Sequence, residues 1–198
     1  MDLIDQLVGV APGSALDAIR ARRAVARAQS VESYRVLFTP AAPGEVSIAE
    51  RFAVGAYVAG LHGPSPTAEH YMAELQAQAP ALADAVAQAI AATAGTGPYG
   101  SFPAGPLSAE DAPGAEAALS PALAEALGPR LTAALAHAHF LLFHPRDAAP
   151  ERFAPLLAAG WSTTGIVTLS QIVSFLAYQI RVVAGLRVLA GNLAEGLA

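Results

Sequence analysis

The sequence predicts an all-α fold, and three observations support this. The 198 residues are 54% hydrophobic, only 14% charged and rich in alanine, a composition typical of a globular helical chain. Ser47 and Glu50 have the S-x-x-E spacing of a capping box, which marks the start of a helix. The segment from Thr164 to Leu189 is apolar on every side in its middle, which predicts a long buried C-terminal helix in the domain or its oligomer.

The chain is predicted to form one domain over residues 1–198, which is enough length for a substantial core. Ser14 to Gln29 is predicted to form one helix, with its arginines on a solvated or subunit-facing surface rather than in an anion site. Ser33 to Phe38 is predicted to be extended or 3₁₀. The predicted parts are an N-terminal extension (1–45), motif helices (47–94), a loop (94–106) and C-terminal helices (120–195).

The segment from Ser47 to Leu75 is predicted to form a helix, a short break and a second helix. The first helix runs from Glu50 to Leu61 with one continuous apolar pattern. The break is Gly63-Pro64-Ser65-Pro66, because each proline lacks a donor and restricts the residue before it. His70 then lies about one turn into the second helix.

This layout resembles the carboxymuconolactone decarboxylase superfamily, and within it the AhpD-like, alkylhydroperoxidase-related branch. That branch has a Glu on one helix, C-x-x-C at the helix break and a His one turn into the next helix. Glu50 and His70 match the Glu and the His, whereas the C-x-x-C would fall on Gly63 to Pro66, and the chain contains no cysteine. The resemblance therefore implies an AhpD-like helical bundle and a cysteine-free, peroxidase-related member of the superfamily.

A second region of resemblance runs from Leu131 to Leu189. Peroxidase-related members have an "AAG…I" turn before a helix that carries aromatic residues and an Arg. Phe175, Tyr178 and Arg181 stand at the corresponding positions, and Ala177 and Ile180 replace the Asn residues of the family.

Without cysteine the thiol peroxidase mechanism is impossible, because no disulfide can form and break. The decarboxylase branch works without a thiol pair, so the resemblance implies Glu50 and His70 as acid/base groups acting on a small organic molecule. Arg51 or Arg181 could hold a substrate carboxylate. The further candidate binding residues are Tyr57, His62 and Tyr71.

Each of these residues also has a purely structural interpretation. Glu50 could serve only as the reciprocal half of its capping box, and His70 could only stabilise a helix start. His62 at a helix end suits the negative end of the dipole, and Tyr57 and Tyr71 are amphipathic core residues by default.

Three histidines lie close together near the end of a helix predicted from Leu131 to Phe143. His137 and His139 are two residues apart and point to different sides, whereas His137 and His144 could share a face. No third ligand stands at a fitting spacing, so these histidines are interpreted as structural and no metal or other cofactor is predicted.

Charge and composition define the expected setting. The net charge of −5 argues against nucleic acid as a partner. The N-terminus lacks the pattern of a signal peptide, and charges interrupt the apolar C-terminal segment, so a cytoplasmic protein without a membrane span is expected. The low charge fraction predicts a homo-oligomer, because apolar surface needs to be covered.

Two functions remain open from the sequence. One is a thiol-independent enzyme that uses Glu50 and His70. The other is a non-catalytic structural or regulatory subunit, paired with itself or with a cysteine-bearing AhpD-like paralogue. The loop from Ala94 to Pro106 is interpreted either as a lid over a pocket or as an arm that contacts another subunit.

Overall fold

The structure is a computed structural model that describes residues 2–194 and 196. These residues form α-helices and short 3₁₀ turns, with no β-strand in the part described. The all-α class and the long C-terminal helix are therefore confirmed. The helices are α1 (Leu3–Val8), α2 (Ala15–Ala21), α3 (Ala24–Phe38), α4 (Ile48–Leu61), α5 (Pro66–Gln78), α6 (Pro80–Thr93), α7 (Pro121–Phe143), α8 (Ala154–Ala158) and α9 (Thr163–Ala194).

The chain divides into two compact units. The central unit is Gly44–Val173, and the terminal unit combines the residues up to Pro43 with those from Ser174 onward. The prediction of a single domain stays a prediction. All the candidate site residues except Arg181 belong to the central unit.

Helix α4 forms the centre of the central unit. Nine consecutive residues, from Arg51 to Ala59, are buried, so the helix is covered on every side. It packs against α5, α6 and α7. Within this unit, α4 is therefore the helix that the others surround. The sequence had predicted that the C-terminal helix would be the central packing helix.

Local capping signals explain where the helices of the central unit begin. The Ser47 side chain accepts from the Glu50 amide, and the Glu50 side chain returns to the Ser47 amide, which completes the predicted capping box of α4. Ser65 caps α5, with Pro66 at its first position. Ser120 caps α7 in the same way, and proline follows it directly.

Helix α7 contains a break just before Leu131, where the predicted helix from Leu131 to Phe143 begins. Gly128 has φ 75° and ψ 159°, and Pro129 follows it. The helical direction therefore changes inside α7, before the segment that carries His137 and His139.

The terminal unit corrects two expectations. The predicted helix from Ser14 to Gln29 is broken at Arg22 and Arg23, and its second half continues as α3 through Phe38. The segment from Ser33 to Phe38 is thus helical and not extended. Leu37 and Phe38 are buried, and Phe38 packs against Phe175 with ring centroids 6.2 Å apart, so tertiary packing selects the helix over local propensity.

The arginines of this unit are also more buried than the sequence indicated. Arg20 is buried and pairs with Asp2 at 2.7 Å and Asp5 at 2.8 Å. Arg27 pairs with Asp17 at 2.9 Å and also contacts Asp5. These pairs join α1, α2 and α3, so Arg20 is a structural residue and not a solvated one.

Helix α9 is long but is buried on one side only within the chain. Ile172, Leu176 and Val183 are buried, whereas Val167 is 55% and Val188 is 67% exposed. By length and composition it could cross a membrane, and 33% of its most apolar stretch is buried. Core helices of soluble proteins can have the same length and composition. This helix alone therefore does not show whether the protein lies in a membrane or in the cytoplasm, and the cytoplasmic setting stays a prediction.

Candidate functional site

Glu50 uses both of its carboxylate oxygens within the protein. One oxygen accepts from the Ser47 amide at 2.8 Å and from the Ser47 hydroxyl at 2.9 Å. The other accepts from Nε of Arg130 at 2.7 Å. The capping role that the sequence suggested as an alternative is therefore present, together with an ion pair that it did not suggest.

Arg130 ties this carboxylate to the rest of the central unit. Its two terminal nitrogens donate to the carbonyl oxygens of Gly160 at 2.9 Å and Glu45 at 2.8 Å. Its guanidinium lies 3.6 Å from the ring centroid of Trp161, and the Trp161 indole donates to the Arg130 carbonyl at 2.9 Å. Glu50 thus belongs to a cross-link between the start of α4, α7 and the turn before α9.

His70 lies on a different part of the α4–α5 pair. The side chain is half-buried and meets the edge of Tyr71 at 5.1 Å between centroids. Burial lowers the pKa of His70, and the nearby Glu74 charge opposes this in part. An α-helix rises about 1.5 Å per residue, so Glu50 lies about 18 Å along α4 from His62, the C-cap before the break. His70 lies only about 6 Å along α5 from Pro66, the first residue after the break. The two side chains therefore stand at different levels of the helix pair.

The other candidate residues of the central unit have structural contacts. The Tyr57 hydroxyl is buried and donates to Thr93 Oγ1 at 2.7 Å, because the Thr93 hydroxyl itself donates to the Ala89 carbonyl. Burial raises the pKa of Tyr57 to about 12. Tyr71 is fully buried. His62 is the C-cap of α4, and its Nδ1–H donates to the Val58 carbonyl at 2.9 Å.

The two arginines proposed for substrate binding differ in exposure. Arg51 is buried, its Nε donates to the Val46 carbonyl at 2.9 Å, and burial lowers its pKa. Arg181 is exposed in the terminal unit and donates to the Ala177 carbonyl at 2.7 Å. Neither arginine lines the cavity described next.

A cavity of about 370 Å³ lies in the central unit, against the second half of α7. This volume is within the range of about 300–1,000 Å³ that is usual for small-molecule sites. We call it the histidine cavity, because all three histidines of the segment 137–144 line it. Its walls are formed by Glu116, Ala117, Ala133, Ala136, His137, His139, Phe140, His144, Glu151, Arg152, Pro155 and Leu156.

The hydrogen-bond partners of two of these histidines indicate which ring nitrogen carries the proton. His139 Nε2 lies 3.2 Å from the Thr93 carbonyl, which can only accept, so Nε2 carries the proton. His137 Nε2 lies 3.0 Å from Ser170 Oγ, whose own proton goes to the Ile166 carbonyl, so Nε2 again donates. Burial lowers the pKa of both rings. On each neutral ring, Nδ1 therefore carries the lone pair.

The Nδ1 atom of His139 is closed off both from solvent and from the cavity. It is buried and has no hydrogen-bond partner among the residues that the structure describes. Leaving a buried polar atom unsatisfied costs about 1–3 kcal/mol. This lone pair therefore lies in the protein interior, out of reach of a ligand in the cavity.

His144 connects the cavity to the long loop before α7. Its Nε2 lies 3.0 Å from the Ala115 carbonyl and its Nδ1 lies 3.2 Å from Asp147. Asp147 also accepts from the Ser101 amide at 3.1 Å, and that bond, followed by the one from His144, lowers the pKa of Asp147. The loop is thus fixed against the end of α7, and its continuation brings Glu116 to the cavity wall.

The charged side chains of the wall are two carboxylates and one guanidinium. Arg152 pairs with Glu116 at 2.6 Å and lies 4.7 Å from the ring centroid of Phe140. Glu151 is exposed beside them. Nowhere in the described part of the chain do three side chains of the metal-binding types converge around a possible ion.

The chain matches no protein-family model, no curated protein and no solved structure.

Sequence reasoning identified the three histidines but did not join them into a site. His137 and His139 do point to different partners, as their spacing predicted, yet both reach the cavity wall. Glu116 and Arg152 were missed, because 36 residues separate them along the chain. The available signal was the concentration of three of the five histidines of the chain within eight residues.

Proposed function

We propose that the protein binds a small organic molecule in the histidine cavity and performs thiol-independent acid/base chemistry there, with the histidines of the wall as the acid/base groups. The observation that carries this proposal is a cavity of about 370 Å³ whose wall includes His137, His139 and His144. A neutral imidazole with a free lone pair is the form that a general base requires.

The family resemblance enters this proposal as supporting context. The helix, break and helix of the AhpD-like pattern correspond to α4, the Gly63–Pro66 break and α5. The acid/base roles of Glu50 and His70 stay a prediction. They have less support than the cavity, because the Glu50 carboxylate is occupied by Ser47 and Arg130.

The test uses three probes of one size and different charge, namely benzylamine, benzyl alcohol and benzoate. Binding is followed by the melting temperature and by the NMR signals of the histidine Cε1–H protons. We expect at least one probe to bind and to shift the Cε1–H signals of the histidines in the wall.

A matched pair of variants locates the binding. Ala136 is exposed and lines the cavity, so Ala136→Trp fills the cavity without replacing a core residue. Ala126 is exposed on the same helix away from the cavity, so Ala126→Trp is the control. The proposal fails if no probe binds, or if Ala136→Trp and Ala126→Trp bind the probes equally well.

A second candidate function is that of a self-associating subunit, and the exposed apolar residues of α9 favour it. Val167, Tyr178 and Val188 are exposed on this helix, in a chain with only 14% charged residues. A homo-oligomer, or a pair with a cysteine-bearing AhpD-like paralogue, would cover them. Light scattering on the purified protein tests the homo-oligomer.

A further inference from the structure

We infer that the loop before α7 is a strap over the histidine cavity, held by a doubly protonated His144 and released when this ring loses a proton at higher pH. The strap is the segment 99–117, which includes the 3₁₀ turn Pro106–Glu110 and reaches the cavity wall at Glu116 and Ala117. Its control of ligand entry rests on the proposed function, whereas its attachment by His144 does not.

His144 faces a hydrogen-bond acceptor at each of its ring nitrogens. Nε2 lies 3.0 Å from the Ala115 carbonyl, and Nδ1 lies 3.2 Å from the Asp147 carboxylate. Asp147 is ionised, because hydrogen bonds from the Ser101 amide and from His144 lower the pKa of its carboxyl group. A carbonyl and a carboxylate can only accept, so both contacts are hydrogen bonds only when the ring carries two protons and a positive charge. In a neutral ring, one buried nitrogen would direct a lone pair at an acceptor.

The ring and its carboxylate partner attach the strap near both of its ends. Ala115 lies next to the residues that enter the cavity wall. The carboxylate that His144 contacts also accepts from the Ser101 amide at 3.1 Å, close to the start of the strap. Gly100 and Ala112 form an isolated antiparallel bridge, so the two ends lie side by side. The charge of one ring therefore acts on both ends of the strap.

Glu116 adds an exposed ion pair at the cavity. It lies 2.6 Å from Arg152, and the two side chains are 62% and 37% exposed. Exposed ion pairs contribute little to stability and are screened by salt. The buried contacts of His144 are therefore the ones that decide whether the end of the strap stays in the wall.

The charged and titratable groups around the ring come from several elements. They are Asp147 on the turn after α7, Tyr99 and Glu116 on the strap, His139 on α7, and Glu151 and Arg152 before α8. Asp147 attracts a positive ring directly, and Arg152 is offset by Glu116. Burial lowers the pKa of His139, so that ring is neutral near pH 7. An imidazole is the side chain that changes charge between about pH 5 and 8, so His144 gives the strap its pH dependence.

Amide hydrogen exchange and the Cε1–H signal of His144 test the attachment, measured by NMR on the full chain between pH 5.5 and 8. Exchange rates are corrected for their intrinsic dependence on pH. The protection of the Gly100, Ser101 and Ala112 amides is expected to fall about tenfold as the pH rises, because a hydrogen bond to a charged group is lost. The fall should have the same midpoint as the titration of His144. Protection that is independent of pH, or that follows a different midpoint, would overturn the inference.

The amide of Leu135, buried in α7, is the control for global unfolding. Burial lowers the pKa of His137 and His139, so global unfolding is favoured as the pH falls. Release of the strap has the opposite dependence on pH. If the strap amides and Leu135 change in the same direction by the same factor, the exchange is global and the inference is wrong.

Two variants test the two sides of the contact. His144→Gln cannot change its charge, so the protection of the strap should be low and independent of pH. Asp147→Asn removes the negative partner and should lower the protection at pH 5.5 about tenfold. His62→Gln removes an exposed imidazole and should keep the wild-type behaviour. If His144→Gln does not fold, Asp147→Asn and the wild-type titration still decide. Wild-type protection in Asp147→Asn would contradict the inference.

Ligand entry is followed with benzylamine, benzyl alcohol and benzoate, using the association rate of each probe that binds. This rate is expected to rise about tenfold with pH, in parallel with the loss of strap protection, and to be independent of pH in His144→Gln. A rate that does not follow the protection would show that the strap does not control entry to the cavity. If none of the probes binds, the proposed function fails, and the exchange experiment alone decides whether His144 holds the strap.

Discussion

At the scale of single residues, Glu50 combines a helix-capping role with an ion pair. Its position after Ser47 is required by the capping box, and its second oxygen accepts from Arg130. A catalytic carboxylate at this position would have to release one of these partners. The histidine cavity requires no such change, because neither Glu50 nor its two partners line it.

Replacing Arg130 is expected to destabilise the protein strongly. Arg130→Ala removes the partner of the half-buried Glu50 and the donors to the carbonyls of Glu45 and Gly160. We expect a loss of about 2–4 kcal/mol in the free energy of unfolding, measured by denaturant titration. Arg22→Ala, at an exposed site, is the control and should change it by less than about 0.5 kcal/mol. A loss below about 1 kcal/mol for Arg130→Ala would show that the cross-link contributes little.

Stability is expected to decrease as the pH falls below neutrality. Burial lowers the pKa of His70, His137 and His139 in the folded chain. Between the folded and the unfolded pKa values, the unfolded chain therefore binds more protons, and unfolding is favoured as the pH falls from about 7 through about 6.5. The loss levels off once the pH is below the folded values.

Melting temperatures between pH 8 and pH 5.5 measure this effect, in a range where carboxyl groups remain largely ionised. His137→Gln and His139→Gln should each reduce the slope below pH 7. His62→Gln, at an exposed position, is the control for the loss of an imidazole. A wild-type melting temperature that is constant over this range would contradict the burial of the three rings.

At the scale of helices, local chemistry predicts where elements begin, and tertiary contacts decide how far they extend. The starts of α4, α5 and α7 follow from Ser47, Ser65 and Ser120. The left-handed Gly160 after α8 was also predictable, and its φ is 85°. The helical state of Ser33 to Phe38 was not, because it depends on packing against residues more than 130 positions away.

The candidate site was less predictable than the helices. The histidines of α7 could be named from the sequence, but Thr93, which fixes the proton of His139, is 46 residues distant. The carboxylate of Glu116 arrives through a loop whose path is set by long-range contacts to His144 and Asp147. Helical spacing carries no information about such contacts.

The break in α7 provides a test at this scale. Gly128 has φ 75°, and a Cβ at this position would meet no atom within 4 Å. The cost of Gly128→Ala is therefore conformational, and we expect a loss of about 1–3 kcal/mol in the free energy of unfolding. Gly185→Ala is the matched control, because Gly185 also has open space but lies within the helix α9. It should be neutral or stabilising by up to about 1 kcal/mol. Equal effects of the two substitutions would contradict the break at Gly128.

At the scale of the whole molecule, the balance of apolar and charged residues differs from that of a typical isolated domain. Charged residues make up 14% of the chain, against about 25% on average. Several of the apolar residues that the chain leaves exposed lie on α9. Single exposed apolar side chains are common, but a long helix that carries several of them is typical of a surface that contacts a partner.

Self-association through α9 is therefore the prediction at this scale. The purified protein is expected to have a mass that is a multiple of 20.1 kDa in light scattering. Val188→Glu should lower this mass at a given concentration, because Val188 is 67% exposed and a buried carboxylate would oppose contact between chains. Gln76→Glu adds the same charge at an exposed position of α5 and should leave the mass unchanged. A mass of 20.1 kDa at every concentration tested would contradict the prediction. Since neither substitution touches the histidine cavity, probe binding by both variants would also show whether the site depends on the association of chains.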